Sequence, residues 1–156
     1  MVEKLTNLRL SILAWGPGLS LVGLAGLLNT YSQNNMIILI VEDEDKRAKE
    51  LQSFLQTKLT KVIRARDGYE ALIILKKHKP DLILSDINMP SMDGYRLVKR
   101  VKEDEKTKAI PVFIYSSSRI SDDNKELAME LGADHCLDNT EVDGIGSEAL
   151  TIFATL

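Results

Sequence analysis

The sequence has few of the residues from which disulfides and zinc sites are built. It contains one cysteine, Cys136, and two histidines, His78 and His135. A single cysteine excludes an intrachain disulfide and a structural zinc site built on thiolates. The histidines are too far apart and too isolated in the sequence to indicate a metal site. The scarcity of cysteine favours a reducing compartment, so we expect a cytoplasmic protein.

The chain also lacks an excess of basic charge. Its 20 lysine and arginine residues are opposed by 23 aspartate and glutamate residues, which leaves a net charge of −3. This balance argues against nucleic acid as a partner. The 156 residues are 44% hydrophobic, which is enough for one domain with a packed core and excludes wholesale disorder.

Charged residues are scarce at the start of the chain. Residues 1–35 contain only three, and residues 10–28 contain none. That uncharged run has the length of a membrane span and also resembles a signal peptide, but its four glycines and Pro17 weaken it as a helix. We therefore divide the chain into an apolar extension, residues 1–35, and a domain, residues 36–156. The extension is either of no consequence for the fold or associates with a membrane, the latter only if residues 10–28 insert.

From residue 36 onward, strand and helix patterns alternate. Met36–Val41 is an unbroken apolar run, typical of a strand buried on both faces. Further strands are predicted at residues 62–65, 81–85, 112–115 and 135–137, and helices at 45–58, 69–78, 95–103 and 122–131, with a last helix capped by Ser147. This alternation predicts an α/β fold with right-handed crossovers and a parallel sheet covered by helices.

Acidic and hydroxyl side chains follow three of the predicted strands. Glu42 and Asp43 follow the first strand, Asp86 the third and Ser116 the fourth. Because ligands of such sheets bind beyond the carboxyl ends of the strands, these side chains should converge. Clustered carboxylates repel one another, and oxygen ligands without histidine or cysteine suit Mg²⁺. Since a carboxylate can also act as a nucleophile, the pattern indicates Mg²⁺-assisted phosphoryl transfer to an aspartate.

Four motifs carry a resemblance to a known family. They are V-E-D at 41–43, D-I-N-M-P-S-M-D-G at 86–94, P-V-F-I-Y-S-S at 111–117 and G-A-D at 132–134. With these motifs, residues 36–156 resemble the receiver domain of response regulators in two-component signalling, of the chemotaxis-regulator type. The resemblance implies a doubly wound, five-stranded parallel sheet in the flavodoxin-like order 2-1-3-4-5, with helices on both faces.

The resemblance also implies a role for each matching residue. Asp86 would accept the phosphoryl group, and the hydroxyl of Ser116 would bind it. Asp43 would ligate Mg²⁺ directly, and Glu42 would act through water. Asp86 and the backbone carbonyl of Asn88 would complete the metal site.

Two positions depart from the family pattern. The family places a lysine at the end of strand five, and the corresponding residue here is Asn139. No lysine or arginine occurs anywhere after Glu126, so strand five supplies no substitute cation. The position of the family's aromatic switch residue is Cys136.

The function implied is that of a stand-alone receiver, a signalling domain rather than an enzyme. A sensor histidine kinase or phosphotransfer protein would phosphorylate Asp86, and the product would signal to an unknown protein partner or relay the group. The alternative is a degenerate receiver that acts as an interaction module without phosphorylation, which Asn139 favours. A phosphohydrolase is disfavoured because Asn88 stands where such enzymes carry a second aspartate. A flavodoxin-like cofactor binder is disfavoured because no glycine-rich loop follows strand one.

Overall fold

The computed structural model describes residues 36–57, 60–137 and 139–156. The predictions for the extension, residues 1–35, and for its uncharged run, residues 10–28, lie outside the described residues. Within the described part of the chain, none of the helices combines the length and the apolar character needed to cross a membrane.

Five strands alternate with five helices over the described residues, as the sequence predicts. The strands are β1 (Met36–Val41), β2 (Thr60–Ala65), β3 (Leu82–Asp86), β4 (Val112–Tyr115) and β5 (His135–Cys136). The helices are α1 (Asp45–Leu55), α2 (Gly68–Leu75), α3 (Gly94–Glu103), α4 (Asp122–Glu130) and α5 (Val142–Phe153).

The strands form one parallel sheet in the order β2-β1-β3-β4-β5. The predicted doubly wound sheet in flavodoxin-like order is therefore confirmed. In the register of the two central pairings, Val41 lies opposite Ser85 and Asp86 lies opposite Tyr115. The carboxyl ends of β1, β3 and β4 consequently lie side by side at one edge of the sheet.

Helices cover both faces of the sheet, because side chains alternate between the faces along each buried strand. On one face, Ile38 and Ile40 of β1 share a hydrophobic cluster with buried residues of α1 and α5. On the other face, Leu39 and Val41 share a cluster with buried residues of α2, α3 and α4. This division matters for the site, since Glu42 continues the alternation of Ile38 and Ile40 toward the face covered by α1 and α5.

The last helix begins earlier than the sequence predicts. Helix α5 starts at Val142, and Ser147 lies inside it instead of capping it. Two glycines near its start have low helix propensity, but the packing of the helix outweighs that cost. At Gly146 an added Cβ would lie 2.5 Å from a ring carbon of Phe54, so the missing side chain lets α5 approach α1 closely.

Candidate functional site

Three carboxylates lie together at the carboxyl edge of the sheet. Glu42 and Asp43 follow β1, and Asp86 is the last residue of the adjacent strand β3. One oxygen atom from each carboxylate lies within 4.8 Å of the other two. Glu42 and Asp86 are only 1% and 5% exposed, whereas Asp43 is exposed to solvent. The three residues, called the acid cluster below, are thus brought together by neighbouring parallel strands.

The backbone beyond Asp86 turns back sharply and is closed by a hydrogen bond. The N–H of Gly94 donates to the carbonyl oxygen of Ile87 at 2.9 Å. A Cβ at position 94 would lie 2.5 Å from the carbonyl oxygen of Asp86, so only glycine fits this approach. Asp93 then caps α3, since its side chain accepts a hydrogen bond from the N–H of Arg96 at 2.8 Å. Asp93 and Gly94, the last two residues of the motif at 86–94, therefore each have a structural role.

Ser116 lies beside the acid cluster because it follows β4, the neighbour of β3. It is buried, and its Oγ accepts hydrogen bonds from Nδ2 of Asn88 at 3.1 Å and from the N–H of Ser118 at 3.3 Å. Asn88 is exposed and lies two residues beyond Asp86. The amide of Asn88 thus connects the loop after β3 to the hydroxyl after β4.

The carboxylate of Glu42 is held by groups from two other elements. The hydroxyl of Tyr115, the last residue of β4, donates to Oε2 of Glu42 at 2.9 Å, and Nε of Arg47 in α1 lies 3.3 Å from the same oxygen. The N–H of Glu44 donates to Oε1 at 3.1 Å. Burial raises the pKa of Glu42, although the Tyr115 hydroxyl, the N–H of Glu44 and the charge of Arg47 act in the opposite direction.

Asp86 lies in an environment that disfavours its ionised form. Burial raises the pKa of its carboxyl from the ordinary 3.8 to about 7, and the negative charge of Glu42 adds to this effect. Nearby backbone N–H groups and Arg47 lower it without outweighing burial. Its Oδ1 is buried and has no hydrogen-bond partner among the described residues. A buried oxygen of this kind is costly unless a cation or donor satisfies it.

These residues fit a magnesium ion. The donors are carboxylate oxygens, two of them on buried side chains, and the unpartnered Oδ1 of Asp86 offers a ligand atom that the described residues leave unsatisfied. Hard oxygen donors of this kind are those that Mg²⁺ prefers.

Sequence reasoning did not identify Tyr115 or Arg47 as site residues. In the sequence, Tyr115 has only the pattern of a strand residue, whereas in the structure its hydroxyl reaches Glu42 across the intervening strand β3. The position of Arg47 in the sequence does indicate that its side chain faces inward. It lies four and eight residues before the buried Leu51 and Leu55, which places it on the inward stripe of α1.

Asn139, which the resemblance assigns to the position of the family's lysine, has its side chain hydrogen-bonded to helix α5. It lies in the segment between β5 and α5, and its Nδ2 donates to Oε2 of Glu148 in α5 at 2.5 Å. Among the described residues, Asn139 forms no hydrogen bond with Glu42, Asp43 or Asp86.

Comparison with known proteins gives a consistent assignment. The sequence profile described as response regulator receiver domain matches residues 38–141. The sensor histidine kinase RcsC of Escherichia coli K12 is 33% identical over 121 residues, which are 78% of this chain and 12% of RcsC. The polar-differentiation response regulator DivK of Brucella anthropi is 32% identical over 90 residues, 58% of this chain and 73% of DivK.

A solved structure shows the same fold. The chemotaxis response regulator CheY4 of Vibrio cholerae superposes with a TM-score of 0.69 at 28% identity, covering 76% of this chain and 98% of that one. The chain therefore belongs to the response regulator receiver domain family. Receiver domains are signalling domains that bind Mg²⁺ through acidic residues and interact with histidine kinases or phosphotransfer proteins. The chain spans only about an eighth of the length of RcsC.

Proposed function

We propose that this chain accepts a phosphoryl group on Asp86 from a sensor histidine kinase or a phosphotransfer protein, in a Mg²⁺-dependent reaction. The phosphorylated form then signals by binding a protein partner or passes the group on. The observation that carries the proposal is the acid cluster at the ends of β1 and β3, with the buried hydroxyl of Ser116 at the end of β4. The proposal places this reaction in the cytoplasm, as the single cysteine of the sequence suggests.

Asp86 is the nucleophile in this proposal. A carboxylate oxygen forms a bond to phosphorus while the bond from phosphorus to the donor's imidazole nitrogen breaks, and the nitrogen keeps the electron pair. The carboxyl must be ionised to react, and burial opposes ionisation at neutral pH. Mg²⁺, when bound, neutralises negative charge on the acid cluster and on the phosphoryl oxygens.

The remaining site residues bind the metal and the phosphoryl group. Asp43 would ligate Mg²⁺ directly, Glu42 would act through water, and Asn88 would contribute its backbone carbonyl. The Ser116 hydroxyl donates a hydrogen bond to a phosphoryl oxygen. This role is supported by its position, because its Oγ is buried next to the acid cluster and already accepts hydrogen bonds from two neighbouring groups.

A small-molecule phosphodonor tests the proposal. Incubated with Mg²⁺ and acetyl phosphate, the protein should gain one phosphoryl group by mass spectrometry, and Asp86→Asn should abolish the gain. The matched control is Asp123→Asn, which makes the same substitution at an exposed position in the first turn of α4. Labelling that persists in Asp86→Asn would place the acceptor elsewhere.

A second candidate function is a receiver fold that binds partners without phosphorylation. The observation that favours it is the side chain of Asn139, which is neutral and is hydrogen-bonded to Glu148 instead of the acid cluster. The same experiment separates the two functions. A wild-type protein that binds Mg²⁺ but gains no phosphoryl group from acetyl phosphate would support the interaction module.

A further inference from the structure

The site contains negative charge that the end of the sheet does not balance. Two buried carboxylates and one exposed carboxylate lie within 4.8 Å of one another, and a phosphoryl group on Asp86 would add close to two more negative charges. The chain has no lysine or arginine after Glu126, and Asn139 contacts α5. A cation must therefore come from another element, or Mg²⁺ must neutralise the site alone.

Arg47 is positioned to supply that cation. Its side chain is 14% exposed, and its Nε lies 3.3 Å from Oε2 of Glu42. Its Nη2 donates a hydrogen bond of 3.0 Å to the carbonyl oxygen of Thr140, the residue after Asn139. The guanidinium carbon lies 5.6 Å from the centre of the Tyr115 ring. The guanidinium thus extends from the acid cluster to the segment in which the family carries its lysine.

Arg47 also has a buried donor that makes no hydrogen bond within the described part of the chain. Its buried Nε has no hydrogen-bond partner among the described residues, and the same holds for Oδ1 of Asp86. An arginine keeps its charge at every relevant pH.

The neighbouring Arg64 has its donors directed elsewhere. It donates to the backbone carbonyl oxygens of Glu42 and Asp43 and to the side chain of Asp45. Arg47 forms an ion pair with Glu42. Among residues 36–57, 60–137 and 139–156, no other basic side chain forms an ion pair with a carboxylate of the acid cluster.

We propose that Arg47 is the counter-cation of this site and takes the place of the lysine at the end of strand five. It balances the acid cluster before phosphorylation and shares the neutralisation of the phosphoryl group with Mg²⁺ afterwards. This inference rests on the proposed phosphorylation of Asp86. Arg47 acts through its charge and through the position of Glu42, so it is a positioning residue.

The test measures the affinities for Mg²⁺ and for beryllofluoride, which loss of the Arg47 charge should change in opposite directions. Arg47→Gln removes a positive charge from the acid cluster, so Mg²⁺ should bind more tightly, by roughly threefold to tenfold. Beryllofluoride, an anionic phosphoryl mimic, should bind roughly tenfold more weakly at saturating Mg²⁺. Both are measured by isothermal calorimetry. The matched control is Arg66→Gln, because Arg66 is exposed and its ion pair is with Asp45, outside the acid cluster.

Two further variants separate charge from structure. Arg47→Lys keeps the charge and should retain most of the beryllofluoride affinity. Asn139→Lys in the Arg47→Gln background should restore beryllofluoride binding, because it returns a cation to the family's position. Thermal unfolding of each variant establishes that it is folded.

Each outcome decides the inference. Loss of both affinities in Arg47→Gln would mean a structural role and would overturn the inference, as would an unchanged beryllofluoride affinity, with the proposed function intact in both cases. A wild-type protein that binds no beryllofluoride and takes up no phosphoryl group would overturn the proposed function and the inference with it.

Discussion

The hydroxyl of Tyr115 donates a hydrogen bond of 2.9 Å to the carboxylate of Glu42 and so joins the ends of two strands that are not neighbours. Strand β3 lies between them and ends in Asp86, which is the register partner of Tyr115. The tyrosine ring is fully buried. The positions of Glu42 and Asp86 are therefore fixed by strand pairing and by a side-chain hydrogen bond across the sheet.

Removal of that hydroxyl should weaken the fold. Tyr115→Phe leaves Oε2 of buried Glu42 without its neutral donor, and a hydrogen bond to a charged group is worth about 1.5–3 kcal/mol. We expect the free energy of unfolding, measured with urea, to fall by about that amount at neutral pH. Tyr69→Phe is the matched control, because Tyr69 is 50% exposed. Equal stability of Tyr115→Phe and the wild type would contradict the assigned hydrogen bond.

The acceptor carboxyl should make the metal-free protein less stable as pH rises. The unfolded chain releases the Asp86 proton near the ordinary pKa of 3.8, whereas the folded protein holds it up to a pKa of about 7. Between these values the folded state binds more protons, so the free energy of unfolding falls as pH increases. The loss is complete above about pH 7.

Asp86→Asn should abolish this dependence. In EDTA the variant should be more stable than the wild type at pH 8, by the order of a few kcal/mol, and nearly equal to it at pH 4. Urea unfolding at several pH values measures the difference. An equal gain at both pH values would show that the effect comes from packing and not from the proton.

Magnesium binding should depend more on Asp43 than on Glu42. A directly coordinating carboxylate contributes more than one that acts through water, so Asp43→Asn should cost more affinity than Glu42→Gln, whose expected loss is roughly tenfold. Calorimetric titration with Mg²⁺ measures both losses. Glu44→Gln removes an exposed acid beside them and should leave the affinity nearly unchanged. Equal losses at Asp43 and Glu42 would contradict the two assigned roles.

The receiver fold should not need the N-terminal extension. The sheet and its two hydrophobic clusters are complete from Met36 onward within the described residues. A protein that begins at Met36 should therefore be soluble and unfold cooperatively, with a free energy of unfolding similar to that of the full chain. Aggregation or non-cooperative melting of the shortened protein would move the domain boundary upstream.

The fold was predictable because its signals are local. The apolar run of β1, the alternation of elements and the polar residues after each strand define the sheet and the edge where Asp86 and Glu42 meet. The predicted start of α5 was wrong. Ser147 is a cap signal that can be seen locally in the sequence, whereas the packing of Gly146 on Phe54 brings together residues that are far apart in the chain.

The partners inside the site could not be predicted in the same way. Tyr115 reaches Glu42 across another strand, and Arg47 reaches Thr140 across 93 residues of sequence. Such contacts depend on how α1 and α5 pack on the sheet, which the order of residues along one element does not reveal. The inward stripe of α1 indicates where Arg47 points, but not which carboxylate it meets.

The hydrogen bond from Gly94 to Ile87 also determines how this segment can change in length. It closes the loop after β3 into a ring, and the absence of a side chain at position 94 lets the ring contact the carbonyl of Asp86. A residue inserted or deleted between Asp86 and Asn88 would change their separation, and one anywhere inside the ring would change the size of the ring that this hydrogen bond closes. Natural variation in this segment is therefore expected as substitutions that keep the number of residues constant, and at exposed Ser91, whose φ is 65°, the expected substitutions are glycine, asparagine or aspartate.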